Sequence, residues 1–157
     1  MTELNVRIVR LEPMRIASVH AFSTSPESDA WAKLVAWAEP RGLLDLGRHR
    51  VFGFDNPPPS EGSASYGYEF WMTVGPEVKR EQDVEVKDLP GGLFAVTGCE
   101  VRGDPWAAIP STWEKLDAWV KNSPYKRANQ QWLEEHLTPP DNARAEWDMD
   151  LYLPISE

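Results

Sequence analysis

The sequence is poor in cysteine, histidine and positive charge, and each shortage removes a class of function. One cysteine, Cys99, forms no internal disulfide and no multi-cysteine metal centre, and its neighbours Gly98 and Glu100 bring no cation that would lower its pKa. It reads as a plain strand thiol. The three histidines, His20, His49 and His136, lack metal-ligand spacing, and there is neither a Gly-x-Ser-x-Gly elbow nor a P-loop, so no metal and no cofactor are expected. With 16 Lys and Arg against 25 Asp and Glu, the formal charge is −9. Phosphate recognition needs clustered basic residues, so no direct nucleic-acid binding is expected, and an acidic field favours cationic ligands or a basic protein partner. No run approaches the roughly 20 consecutive apolar residues of a membrane helix. The start, Met1-Thr-Glu-Leu-Asn5, is not a basic segment followed by an apolar one, so a cytoplasmic location without membrane contact is expected.

What is present is a repeat. Trp31-Ala-Lys-Leu-Val-Ala-Trp37 returns as Trp113-Glu-Lys-Leu-Asp-Ala-Trp119, an offset of 82 residues with five of seven positions shared. On a helix the two Trp and the Leu of each copy fall within about 120° of one another, forming an apolar stripe with the Lys on the far side. Helical spacing assigns Trp31, Trp37, Trp113 and Trp119 to the core.

Around these helices the order of elements repeats. Val6–Leu11 and Ile16–Phe22 read as strands joined in a hairpin through Pro13. Ser25 with Pro26, Glu27 and Asp29 opens the first helix, and Pro40 and Gly42 close it. Arg50–Phe54 is short and extended, 55–63 is a loop rich in Pro, Gly and Ser, and Tyr66–Val74 is a strand. The series then begins again. Val84–Leu89, Leu93–Cys99, a helix capped by Asp104 and Pro105, Gln131–Pro140 and Trp147–Ile155 follow at offsets of about 78 to 82. The chain is therefore expected to be one α+β domain over 1–157, built from duplicated β-β-α-β-β units with pseudo-two-fold symmetry. The first unit covers about 4–76 and the second about 82–157. Both helices would lie on one face of an antiparallel sheet. The opposite face, or the seam between the units, would form a concave ligand cleft.

These pieces together resemble the GyrI-like domain, also called the AraC-type effector-binding domain. The resemblance rests on Val6-Arg-Ile-Val9, Arg102-Gly-Asp-Pro-Trp-Ala-Ala-Ile-Pro110, the Trp113 to Trp119 helix, Trp132-Leu-Glu-Glu-His-Leu-Thr-Pro-Pro140 and Leu151-Tyr-Leu-Pro-Ile155. It implies a ligand cleft between pseudo-symmetric halves, as in multidrug-sensing regulators, with a glutamate inside it. The position matching that glutamate is Glu134, preceded by Leu133, with His136 where relatives carry an aromatic residue. By spacing alone, Glu134 and Glu135 read as a solvated pair of acids, and the resemblance is what places Glu134 in the cleft.

A carboxylate among aromatic walls suits hydrophobic cations, through charge pairing at low dielectric and cation–π contact. The candidate ligand-binding residues are Glu134, His136, Tyr66, Tyr68, Trp71, Trp106, Trp147 and Phe22. Strand alternation puts Tyr66, Tyr68, Phe70 and Met72 on one face and Glu69 and Trp71 on the other, and only one set lines the cleft. The chain is thus expected to be a stand-alone domain that senses or sequesters hydrophobic, cationic small molecules, both termini lying close to a repeat. The resemblance also implies two alternatives. One is a hydrolase of electrophilic cyclopropanoid natural products with Glu134 directing water, and the other is an inhibitor-like partner of DNA gyrase.

Overall fold

The computed structural model describes residues 4–81, 84–138 and 146–157, the side chains of residues 146 and 147 excepted. Pro139 and Pro140, which close one of the motifs above, lie outside the described residues. The elements are β1 (Val6–Leu11), β2 (Met14–Ser23), α1 (Pro26–Ala38), a 3-10 turn (Glu39–Arg41), β3 (Val51–Asp55), β4 (Tyr66–Thr73), β5 (Glu85–Leu89), β6 (Gly92–Arg102), α2 (Pro105–Lys121), β7 (Lys126–Arg127), β8 (Leu133–His136) and β9 (Glu146–Ser156). Among the described residues no helix is long and apolar enough to cross a membrane.

Pairing is antiparallel throughout, in the order β1-β6-β9-β8-β3-β4-β2-β5, with the short β7 added on β9. Read outward from the β8–β3 seam, β8, β9, β6 and β1 mirror β3, β4, β2 and β5. The duplication is therefore a real pseudo-two-fold arrangement, with one correction. β1 and β2 do not pair as a hairpin: β1 pairs with β6 of the second unit, and β5 pairs with β2 of the first. Each unit lends its first strand to the other. Alternation along a strand says which face a residue occupies but not which strand lies beside it, so sequence pattern leaves this exchange invisible.

α1 packs Ala30, Leu34, Trp37 and Ala38 on Val19, Phe70 and Met72, while α2 packs Leu116 and Val120 on Ala95, Val101 and Leu151. Leu34 and Leu116 are fully buried, each contributing roughly 2 kcal/mol of apolar transfer. α1 begins at Pro26, yet Ser25 makes no side-chain cap. Ser23 instead accepts from the Ser25 amide at 3.1 Å and donates to Asp29 at 2.6 Å. At α2 the expected cap forms, with Asp104 accepting from the Trp106 amide at 3.0 Å.

The sheet face opposite the helices holds, among the described residues, a small hollow of about 180 Å³ beside Leu11, Met14, Trp71, Phe94 and Leu133 rather than a drug-sized cleft. Leu11, Phe52, Phe54, Phe94, Val96, Leu133 and Tyr152 fill this face as a third apolar cluster. The two linking turns also abut. Gly91 has φ 78°, and a Cβ there would collide with the Leu11 carbonyl and the backbone of Glu12 and Pro13. Gly91→Ala is expected to lower stability by about 2–4 kcal/mol, from left-handed strain plus a clash against backbone that has no rotamer to yield. Gly62 has φ 82° with nothing within 4 Å of where an added methyl group would stand, so Gly62→Ala carries the strain alone, about 1 kcal/mol. Urea unfolding of both variants measures the difference.

Candidate functional site

The cavity lies between the helices, over the seam. α1 and α2 each cover their own half of the sheet and leave the short central strands β3 and β8 as a floor, where Gly53 pairs with Glu134 and Phe52 with Glu135. The space above has a volume of about 790 Å³. This corrects the expectation of a cleft on the far face, where apolar side chains occupy the room, and keeps the seam.

Parity along β8 sends neighbouring acids to opposite faces. Glu135 points away from the cavity, and Arg50 donates to it twice, each at 2.9 Å, with Tyr152 donating at 2.7 Å. Burial would raise its pKa, and these hydrogen bonds win, holding Glu135 below the usual carboxylate range. It is an anchor for the seam rather than a solvated acid. Glu134 and His136 point into the cavity side.

Glu134 accepts from the Tyr68 hydroxyl at 2.7 Å and from Trp113 Nε1 at 3.3 Å. Gly53 makes this possible, because a Cβ there would collide with the Tyr68 phenol ring, which lies across β3. Burial pushes the Glu134 carboxyl up to about 7, against the two donors and with help from the charge on Asp55. His136 Nε2 lies 3.0 Å from the same tyrosine hydroxyl, and its ring packs on Phe70 at 5.2 Å. Burial pushes it down to about 4, so the histidine standing at the aromatic position is neutral. A tyrosine has one proton to give. When it goes to Glu134, His136 Nε2–H donates to the tyrosine oxygen, and His136 Nδ1 is left without a partner among the described residues.

The mouth is built by the helix starts. Tyr66 donates to both Glu27 oxygens, at 2.6 and 2.8 Å, and its ring meets Trp106 edge-on at 5.9 Å. Trp113 and Trp132 form a second ring pair at 5.3 Å. Asp55 lies across from Tyr68 in the β3–β4 register and lines the cavity. Asp55 is accessible as a residue, but desolvation of its carboxyl, followed by repulsion from Glu27, pushes it up to about 6. Four acids, Glu27, Asp55, Glu114 and Glu134, line the cavity, and no lysine or arginine does so among the described residues.

Of the candidates read from sequence, the fold brings Glu134, His136, Tyr66, Tyr68 and Trp106 to one cavity. Trp71 and Phe22 are not there. Trp71 packs against Phe54 at 4.8 Å and donates to Glu69 at 2.6 Å on the far face, because its parity on β4 opposes that of Tyr68. Phe22 is 58% exposed and pairs with Gly67, again at the opposite parity from the cavity residues. Trp147 lies in β9 opposite Val101, and its side chain is outside the described residues. Helical spacing assigns Trp113 to the core, yet it lines the cavity with its indole N–H on Glu134, since the first residue of the stripe lies at the edge of the α2 footprint. Glu27, Asp55, Trp132 and Met149 escape sequence reasoning. Glu27 has a complete explanation as a helix-dipole acid. Asp55 is signalled by the duplication itself, since the offset of 81 residues that carries Tyr66 to Trp147 also carries Asp55 to His136.

The model of the integron-associated effector binding protein family matches residues 7–155. A DNA gyrase inhibitor from Erwinia billingiae (strain Eb661) is 26% identical over 167 residues, spanning 98% of this chain and 99% of that one. The EcmrR C-terminal domain shares the fold with a TM-score of 0.69 at 13% identity, covering 99% of both chains. Against the EcmrR chain bound to DNA the TM-score is 0.69 at 15% identity, over 98% of this chain, which spans 57% of that longer one. SAV2435, solved bound to tetraphenylphosphonium, gives a TM-score of 0.59 at 11% identity over 98% of this chain and 94% of its own. These structural likenesses show the fold.

The raised Glu134 pKa sets a stability signature. Below about 4.5 the carboxyl is protonated in folded and unfolded chains alike and contributes nothing. Between there and about 7 only the unfolded chain ionises, so stability falls as pH rises, and above 7 the full penalty stands. Glu134→Gln is therefore expected to be more stable than the parent by about 1–3 kcal/mol at pH 8 and by little at pH 5. His136 contributes the opposite slope below its ordinary value, and it cancels in the difference between the two proteins. Urea unfolding of both at the two pH values tests the sign.

Proposed function

The chain belongs to the integron-associated effector binding protein family, and from that premise we propose that it binds hydrophobic cations in the cavity between its helices, as a drug-sensing or sequestering domain of the cytoplasm. One observation carries the reading: a carboxylate, Glu134, set among tyrosine and tryptophan side chains in a cavity that no lysine or arginine lines among the described residues. A desolvated acid without a basic partner gains most from a ligand that supplies the charge. Aromatic faces add about 0.5–2 kcal/mol per well-placed cation. The tetraphenylphosphonium held by SAV2435 supports the same ligand class. Net charge −9 steers cations toward the protein at long range.

Two further readings have an observation each. Glu134, poised near neutrality with a hydroxyl at 2.7 Å, suits proton transfer to and from water, as a hydrolase of electrophilic cyclopropanoids requires. Product formed beyond one equivalent, and lost in Glu134→Gln, would establish it. The Erwinia relative supports an inhibitor-like contact with DNA gyrase, and an unchanged supercoiling rate in the presence of the protein would remove it.

For the leading reading, tetraphenylphosphonium is titrated against tryptophan fluorescence. Ionisation of Glu134 through about pH 7 is expected to raise affinity by about tenfold from pH 6 to pH 8. Glu134→Gln should bind at least about tenfold more weakly at pH 8 and keep only the shallow, about twofold rise that Asp55, pushed up to about 6, contributes between pH 6 and pH 8. No quenching by the parent protein, or an unaltered affinity in the variant, would sink the proposal.

A further inference from the structure

Two of the acids that line the cavity are held by tyrosines in two separate places. At the floor, Glu134 is held by Tyr68 and Trp113, with the Trp113–Trp132 ring pair beside it. At the mouth, Glu27 is held by Tyr66, with the Tyr66–Trp106 pair beside it. Tyr66 and Tyr68 are two residues apart on one face of β4, so their anchor points stand roughly 7 Å apart along the strand. Asp55, whose carboxylate has no hydrogen bond or ion pair among the described residues, stands between the two: it is repelled by Glu27, and its own charge acts on Glu134. Each place thus has a carboxylate oriented by a tyrosine hydroxyl and an aromatic pair to cover a cation.

A ligand with one positive charge satisfies one of these places and leaves the other uncompensated. The cavity, at about 790 Å³, is large enough for a drug-sized molecule that reaches both. His136, only 5% exposed, forms part of the cavity wall, and its Nδ1 has no hydrogen-bond partner among the described residues.

We propose that the site selects dications: ligands with two cationic groups separated by about one aromatic ring, the inner group on Glu134 and the outer group between Glu27 and Asp55. The proposal rests on the cation-binding reading above and adds a ligand class to it. Glu27, Asp55 and Tyr66 become the residues that set specificity, while Glu134 sets affinity for any cation.

The test compares two probes that differ by one charge, benzyltrimethylammonium and 1,4-bis(trimethylammoniomethyl)benzene, by calorimetric titration at low salt, with tetraphenylphosphonium as the reference cation. The dication is expected to bind about tenfold or more tightly than the monocation. In Glu27→Gln/Asp55→Asn the ratio of the two affinities should fall toward one, whatever the absolute affinities become. Tyr66→Phe, which keeps both acids but releases Glu27, should lower the same ratio part of the way. A parent protein that binds tetraphenylphosphonium yet gives a ratio near one overturns the dication proposal and leaves cation binding standing. A parent that binds none of the three overturns both. A ratio unchanged in the double variant also overturns the proposal, because the second charge would then be recognised elsewhere.

Discussion

Two short strands meeting at the middle of the sheet set everything else in this protein. β3 and β8 join the two halves through the Phe52–Glu135 and Gly53–Glu134 pairs. On one face, Arg50 closes the seam with a two-armed hydrogen bond to Glu135, backed by Tyr152. On the other face, the seam lies between the footprints of two helices that each cover only their own half, so it stays open. The same pairing that holds the halves together therefore creates the cavity and presents Glu134 in its floor. Charge burial is tolerable on the closed face because a bidentate partner is in place. On the open face the acid has, among the described residues, only neutral donors, which do not offset its burial, so its pKa rises where that of Glu135 falls.

The duplication supplies the frame, and divergence at a few equivalent positions supplies the chemistry. At an offset of 81 residues Gly53 corresponds to Glu134, Asp55 to His136 and Tyr68 to Met149. A symmetric cavity would carry either two copies of the acid or none. Here one copy is a glycine, and the space it frees admits the phenol ring that orients the acid of the other copy. The two Trp stripes diverge in the same way. Trp31 meets Phe70 at 5.6 Å inside the first core, whereas Trp113 turns its indole N–H to Glu134. The result is an asymmetric pocket in a symmetric scaffold, aromatic on its walls and acidic at floor and mouth.

How far the site is legible differs residue by residue. Tyr66 and Tyr68 fall on the face away from Trp71 by simple alternation, and choosing that face as the cavity wall requires knowing where the helices sit. Trp71 and Phe22 look equally suitable by residue type, and parity places them on the far side. Glu27 and Asp55 are hidden because each has an adequate local explanation, a helix start and a loop entrance, and neither explanation refers to a partner strand. His136 stands out as a departure from the resemblance, but only its packing against Phe70 and its bond to Tyr68 show that it is buried and neutral.

The amino-acid sequence by itself determined the α+β class, the duplication, the two amphipathic helices and most strand positions, since these follow from periodicities and recurrences along the chain, while the candidacy of Glu134 came from the resemblance to the GyrI-like domain. Tertiary structure alone decided that the first strands are exchanged between the units, that the cleft lies between the helices rather than across the sheet, and that Glu27, Asp55, Glu114 and Glu134 share it. The physical reason is common to all three. Strand pairing and cavity formation depend on which surfaces remain uncovered once distant segments have packed, and a residue's own neighbours in sequence do not contain that information.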